Sequence, residues 1–499
     1  MAKKSLNVAF FVSEAAPLAK AGGLADVAGS LPIALEENGV EVSLFLPKYD
    51  IIDLKNYKLE PACDKAKTSC SRELKAGDEQ KEFKIWKTKL PNTKVDVYLI
   101  ENEEYFDRGG IYDVDGDYFK DNAERYVFFD NACLVALKEI GLKPDVIHCQ
   151  DYQTGLVPAL LKHKYQKKDA EFYAGIATVF TIHNLAYHGD ADPSILKFAG
   201  LAEEQDPLFG YDLQDGDIDL ILEGIGSADI INTVSEKYAE EILTKEYSAG
   251  MEDILEKRKA DLYGILNGLD QDKFNPETDP DIAANFTVSD LSGKAKAKAA
   301  LQKANKLKVD PDVPTIGIVS RVAWQKGFDI LGDIADELAK RDIQLFHLGN
   351  GEEKYEKILH EMGKKYPDKF AMNVIFDTVM AREIYAGVDM FLMPSRYEPC
   401  GLGQMIAMRY GTVPVVRKTG GLADTVKDYN EDPASGNGFV FEEYSGEAML
   451  KAIDRSLELY KEKKTWQELV KRDMQIDFSW DARVQKYIEL YEKAINKHK

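Results

Sequence analysis

KAGGLADV at residues 20–27 and KTGGLADTV at residues 418–426 are nearly one phrase, written close to opposite ends of a 499-residue chain. The first follows the apolar run LNVAFFVSE (6–14), the second grows out of TVPVVRK (412–418), and each leads into a segment of helical character. Strand, glycine turn and helix is the repeating step of a doubly wound parallel sheet. Its glycines let backbone N–H groups approach a phosphate, and the helix N-terminus adds positive potential. Two such turns imply two such sheets, with both loops closing on one diphosphate. Two unrelated turns that need glycine for geometry alone would read the same at this point.

Working outward, short runs rich in Val, Ile and Phe recur with charged helical stretches between them: VEVSLFLP (40–47), VDVYLIE (95–101), PDVIHCQD (144–151), ATVFTIHN (177–184) and ADIINTVS (228–235). After GILNGLD (264–270) the series restarts with TIGIVSR (315–321), IQLFHLGNG (343–351), AMNVIFD (371–377) and DMFLMPS (389–395). Runs that are apolar on both faces and separated by helices predict buried parallel strands. The fold class is therefore α/β, with two Rossmann-like doubly wound domains facing each other across a cleft. The expected boundaries are 1–267 for the N-terminal domain, 268–479 for the C-terminal domain, and 480–499 for a final helix packing back on the first. Residues 272–293, rich in Pro, Asp and Gly, read as the linker or hinge, although a surface loop inside one large domain would look the same.

A formal net charge of −22 speaks against nucleic acid or an anionic membrane as partner, because both need a basic footprint. An anionic small ligand needs only a few local cations. Charged residues interrupt every apolar stretch before the about 18 residues that a membrane span requires. The five cysteines are scattered without metal-ligand spacing, which fits a reducing compartment, and the start lacks a signal-peptide cleavage pattern. The expected location is a bacterial cytoplasm, a plastid remaining open for a trimmed chain.

The richest stretch is MPSRYEPCGLGQMIAMRYGTVPVVRKTGGLADTV (393–426). Taken with KAGGLADV, TIHNLAYHG (181–189), NTVSEKYAEEI (232–242), GILNGLD and VSRVAWQKGFDIL (319–331), it resembles the bacterial glycogen synthase and plant starch synthase family, in that family's order and spacing. The resemblance implies the GT-B architecture and a retaining glucosyltransferase. It would move glucose from ADP-glucose to the non-reducing end of an α-1,4-glucan, with no metal and no cofactor.

A nucleotide-diphosphate leaving group gathers negative charge as its glycosidic bond breaks, so fixed cations and N–H dipoles must stand where that charge appears. No Asp-x-Asp motif is suitably placed to hold a metal there. By resemblance, Arg321 and Lys326 form the diphosphate clamp, although as bare residues they read equally as solvated cations. Glu398 stands at the family's essential glutamate, to hold the donor sugar's hydroxyls and balance positive charge on its ring; a helix-capping carboxylate is the other reading. His183 and Asn184 are implied to meet the transferred sugar, Lys20, Gly22 and Gly23 the donor, and Asp26 and Asp151 the acceptor side. Phe376 is implied to stack on adenine, or else is a core ring at a strand end. Cys400, Gly401, Leu402, Thr419, Gly420 and Gly421 complete the implied substrate contacts.

Departures from the family fall mostly on the acceptor side. Members usually read His-Asp-Trp-His where this chain has Gln150, Asp151, Tyr152 and Gln153, and Thr where it has Gly403. The position eight residues after Glu398, a second Glu in many related glycosyltransferases, is Ile406. No motif offers a carboxylate nucleophile, so the resemblance implies front-face attack with the departing phosphate taking the acceptor's proton. Competing readings are a UDP-glucose-using GT-B enzyme and a catalytically weakened glucan- or nucleotide-binding scaffold. A glycan phosphorylase would need a lysine pocket for pyridoxal phosphate that the motifs do not supply.

Overall fold

A computed structural model describes residues 5–63, 70–204 and 206–499 of the chain. It divides into two units, Met1–Val234 with Ala239–Gly268 and Trp480–Lys499, and Ser235–Tyr238 with Leu269–Ser479. In the first, the strands are β1 (Asn7–Phe11), β2 (Glu41–Pro47), β3 (Ser71–Ala76), β4 (Glu79–Lys89), β5 (Asp96–Glu101), β6 (Val146–Gln150), β7 (Ala177–Ile182), β8 (Ile230–Thr233) and β9 (Leu262–Gly264). Their order across the sheet is β9-β8-β7-β6-β1-β2-β5-β4, with Glu60–Pro61 beyond and β3 also pairing β4. Seven strands run parallel; β4 and β3 are added antiparallel at the edge.

The second unit carries β10 (Thr315–Val319), β11 (Gln344–Leu348), β12 (Phe370–Asn373), β13 (Met390–Met393), β14 (Val413–Arg417) and β15 (Phe439–Phe441), all parallel, in the order β12-β11-β10-β13-β14-β15. Central strands such as β6, β7 and β11 are buried at every residue. Helices cover both faces, so these strands read as unbroken apolar runs.

In each sheet the strand order reverses once beside the first strand. β1 lies between β2 and β6, and β10 lies between β11 and β13. Loops leaving the carboxyl ends of such a pair diverge and open a crevice, where ligands of doubly wound sheets bind. The loops concerned are those after β1 and β6, and those after β10 and β13.

The final helix, Asp481–His498, lies on the first unit's sheet. Tyr491 there shares a 2.9 Å hydrogen bond with His148 Nδ1 on β6, whose other ring nitrogen meets Thr181 Oγ1 at 2.6 Å. Among the described residues no helix is long and apolar enough to cross a membrane.

Two expectations fail. Residues 272–293 do not form the linker, because they belong to the second unit, and the chain crosses between units at Val234–Ser235, Tyr238–Ala239, Gly268–Leu269 and Ser479–Trp480. What binds the segment is Asp279, almost fully buried, which accepts from Arg382 Nη1 at 2.8 Å and from the Tyr410 hydroxyl, while Phe286 is buried beside it. The cysteines, read as fitting a reducing compartment, include a Cys63–Cys70 disulfide with Cα atoms 5.3 Å apart. Cys133, Cys149 and Cys400 are buried thiols.

Breaking a buried ion pair from one side leaves a charge without compensation. Asp279→Ala should therefore lower the second unit's stability by roughly 3–5 kcal/mol, read as an earlier transition in calorimetric unfolding. An unchanged transition would mean that 272–293 is not anchored in this way.

Candidate active site

In the first unit, the chain leaves β1 and turns at Ser13–Glu14 before reaching the glycine loop. The Glu14 carboxylate, 3% exposed, accepts the amides of Ala21 at 2.5 Å and Gly22 at 2.7 Å. Burial pushes this carboxyl above its ordinary range, and the two amides, the Tyr112 hydroxyl and Lys20 offset only part of the rise. A methyl group on Gly22 would come within 3.3 Å of Glu14 Oε1, which explains the small residue there. Gly23 begins the helix Gly23–Glu37, whose N-terminus has no side-chain cap. The Gly22 amide expected to face a phosphate is thus given to Glu14; the uncapped helix start beyond it is the dipole that remains.

Lys20 Nζ meets Asp26 Oδ2 at 2.6 Å, so these two predicted residues are neighbours. Lys20 is 46% exposed, and a pair that exposed is worth little and exchanges partners at small cost. Beneath the loop, Tyr49 donates to the Ser13 carbonyl at 2.8 Å, and Ser13 shares a 2.7 Å bond with the Tyr112 hydroxyl.

The loop after β6 holds Asp151 at φ +56°, a left-handed conformation that few non-glycine residues adopt. Its Oδ1 accepts the His183 amide at 2.7 Å and the Asn184 amide at 3.4 Å, tying the end of β7 to the end of β6. Burial pushes the Asp151 carboxyl up to about 7. It also pushes the His183 imidazole down to about 3, so the ring is neutral. His183 Nε2 lies 2.8 Å from Gln150 Oε1; with that carbonyl as acceptor, the ring proton sits on Nε2 and Nδ1 carries a lone pair. Gln150, read only as a departure from the family, is the residue that orients His183.

In the second unit, the loop after β10 forms a short 3₁₀ turn, Trp324–Lys326, and ends at Gly327. Gly327 has φ +78°, and a Cβ there would lie 2.1 Å from the Pro394 carbonyl oxygen. Only glycine lets this loop come so close to the one after β13. Lys326 Nζ consequently reaches both oxygens of Glu398, at 2.9 and 2.7 Å, and Ser395 Oγ donates to Glu398 Oε2 at 2.8 Å. Both charged side chains are largely buried, 17% and 8% exposed. The Arg396 amide on the Gln325 carbonyl and Gln325 Nε2 on the Tyr397 carbonyl stitch the two loops together.

The second glycine phrase serves this assembly. A Cβ on Gly420 would sit 2.0 Å from the Glu398 carbonyl oxygen and one on Gly421 would sit 2.0 Å from that of Cys400. Gly421 donates its amide to the Glu398 carbonyl at 3.1 Å. The expectation that both glycines exist to present amides to a phosphate is replaced, at Gly421, by close packing against 398–400. Thr419 is fully buried, Gly401 has φ +72°, and Gln404 Nε2 donates to the carbonyls of Cys400 and Gly401. Leu402 precedes the helix Gly403–Arg409. Arg321 is exposed on the loop after β10. Phe376 is not a core ring: it is 81% exposed, between β12 and the helix Thr378–Gly387.

The structure therefore brings Lys326 to Glu398, Lys20 to Asp26, and Asp151 to His183 and Asn184. Sequence reading missed Glu14, Gln150, Ser395 and Gly327. An acid at the end of an otherwise apolar strand run was the available signal for Glu14.

Asp151 gives a pH test. A folded carboxyl near 7 holds its proton more tightly than the unfolded chain does near 3.9, so the stability it adds is full below pH 4 and lost as pH rises through 7. Asp151→Asn keeps an acceptor for both amides but cannot titrate. Between pH 5 and 8 the variant should lose less stability than the wild type, by roughly 1–3 kcal/mol, measured by urea unfolding. Parallel pH profiles would contradict this.

Residues 7–257 match the family described as starch synthase catalytic domain, and 301–473 match glycosyl transferases group 1. Glycogen synthase from Thermosipho africanus is 44% identical over 495 residues, covering 99% of this chain and 100% of that protein; the one from Syntrophotalea carbinolica is 44% identical over 493 residues, again 99% and 100%. The catalytic domain of starch synthase IV from Arabidopsis thaliana, solved bound to ADP and acarbose, superposes with a TM-score of 0.89 at 33% identity over 99% of this chain and 100% of that one. Sucrose-phosphate synthase from Thermosynechococcus elongatus, at 18% identity and a TM-score of 0.59 over 98% and 99%, shares the fold alone. Two doubly wound units with an ion pair at a strand-order reversal, in a chain so related over its whole length, identify a GT-B glycosyltransferase that belongs to the glycogen and starch synthase family.

Proposed function

We propose that the chain transfers glucose, with retention, from ADP-glucose to the non-reducing end of an α-1,4-glucan, and that no metal ion takes part in the donor chemistry. The observation that carries this reading is the Lys326–Glu398–Ser395 assembly at the second unit's strand-order reversal. Lys326 and Arg321 supply positive charge for the diphosphate. Charge-assisted hydrogen bonds of about 1.5–3 kcal/mol each stabilise the leaving group most when its charge is fully developed. The relative solved with ADP and acarbose supports an adenine nucleotide and a glucan-like acceptor. The exposed Phe376 ring is of the kind that stacks on a base.

Glu398 already serves Lys326 and Ser395 with both its oxygens, so its role is electrostatic: it holds sugar hydroxyls and balances positive charge on the ring. Neutral His183 presents Nδ1 as an acceptor to a sugar hydroxyl, and Asn184 orients the same group. Lys20, Gly22, Gly23 and Asp26 serve the substrates from the loop after β1, and Asp151 fixes the His183–Asn184 backbone. In the transfer the bond from the anomeric carbon to the phosphate oxygen breaks as the bond to the acceptor hydroxyl oxygen forms on the same face. The hydroxyl proton passes to the departing phosphate oxygen. Catalysis then rests on positioning and water exclusion.

Incorporation of labelled glucose into glycogen primer, with EDTA present, tests the reading. ADP-glucose should be used at least about tenfold faster than UDP-glucose, a difference of ~1.4 kcal/mol in the barrier. Hydrolysis of ADP-glucose without primer should be a minor fraction of transfer. Equal use of both donors, or loss of transfer in EDTA, would overturn it.

A further inference from the structure

Far from Lys326 and Glu398 in sequence, the motif NTVSEKYAEEI (232–242) brings the chain back to them. Its first residues end β8 in the first unit, yet Ser235–Tyr238 belongs to the second unit, and the chain returns to the first at Ala239. Hydrogen bonds to the second unit's loops seat this strap. Ser235 Oγ donates to the Pro399 carbonyl at 2.6 Å, and the Lys237 amide donates to Asp424 Oδ2 at 2.9 Å. The Ser235 and Tyr238 side chains are buried.

The Ser235 hydroxyl does two separate things. Its oxygen accepts the Tyr238 amide at 3.1 Å and so caps the helix Glu236–Glu241. Asp or Asn would cap as well, and capping makes no use of the hydroxyl proton. Here that proton goes to Pro399, in the shorter of the two bonds. The Pro399 carbonyl also accepts the Gly421 amide at 3.2 Å, so it is held from two directions. Pro399 directly follows Glu398, its ring locks φ, and the peptide after it is planar. Holding this carbonyl therefore fixes the backbone on the C-terminal side of Glu398, together with the direction of the Cys400 N–H.

We propose that Ser235 is a positioning residue for Glu398. Lys326 and Ser395 hold the Glu398 side chain, Gly421 holds its carbonyl, and the Ser235 hydroxyl holds the next peptide. The hydroxyl touches no reacting atom. It acts by keeping the Glu398 carboxylate where positive charge develops on the sugar ring, a setting in which a shift of about 1 Å can cost about 10²-fold in rate. The proposal rests on that electrostatic role of Glu398 in transfer, so its test includes a Glu398 variant.

Ser235→Ala removes the bond without adding bulk, while Ser235→Thr and Ser235→Val match each other in shape and differ in the hydroxyl. In the full chain, the Ala and Val variants should lower kcat for glucosyl transfer by about tenfold to 10²-fold, with KM for donor and primer unchanged. Ser235→Thr should recover most of the loss. A role in capping alone would lower the unfolding midpoint of the Ala and Val variants and leave kcat of the folded protein where it was. Asp424→Ala, a change at an exposed side chain, loosens the other end of the strap and should lower kcat by a smaller factor. In a Glu398→Gln background, Ser235→Ala should cost little further. Wild-type kcat in Ser235→Ala or Asp424→Ala, a Thr variant as slow as the Val variant, or a full additional loss in the Glu398→Gln background overturns the proposal. Wild-type turnover in Glu398→Gln alone would overturn the reading of Glu398 itself.

Discussion

One ion pair organises the second unit. Lys326 and Glu398 come from loops that leave different strands and lie 72 residues apart in sequence, yet they meet at 2.7 Å in a largely buried setting. Removing two charges from water costs several kcal/mol per ion, and the mutual attraction offsets this only where geometry and further hydrogen bonds are good. Ser395 supplies one such bond to Glu398. Gly327 and Gly420 allow the backbones to approach to distances that a Cβ would forbid. The loop after β10, the loop after β13 and the second glycine phrase are thus three parts of one clamp. A pair held this firmly before substrate arrives costs no reorganisation when charge develops on a leaving group.

The first unit follows the same logic with a different anchor. Glu14 sits where β1 ends and draws two amides of the glycine loop onto itself. Asp151 does the equivalent for the amides of His183 and Asn184. In both places a buried carboxylate shapes a loop from beneath, and the residues above it are the ones that the family resemblance assigns to substrate. The two glycine phrases look alike, but their amides have different uses: Gly22 gives its own to a side chain, Gly421 to a carbonyl.

Much of this was legible in the sequence because buried parallel strands leave an unmistakable record. β6, β7 and β11 are apolar on both faces, so their runs stand out without any partner information. β3 and β4 were not legible, since SRELKA buries only Leu74 and Ala76, EQKEFKIWKTK buries only Phe83, Ile85 and Thr88, and charged residues stand between them. β9 and β15, three residues each, are too short to leave a pattern. Residues 272–293 look like a linker by composition, but the packing of Asp279 against Arg382 and Tyr410 depends on side chains more than 100 positions away. Gln150 read as a lost histidine; only geometry shows that its amide oxygen meets the His183 ring.

The most direct test of the clamp is a double-mutant cycle on turnover with ADP-glucose, comparing Lys326→Met, Glu398→Gln and the two combined. If the pair acts as a unit, each single change should cost about 10²-fold or more, and the combination should cost little beyond the worse single. Near wild-type turnover in either single variant, or full additivity of the two losses, would contradict the account.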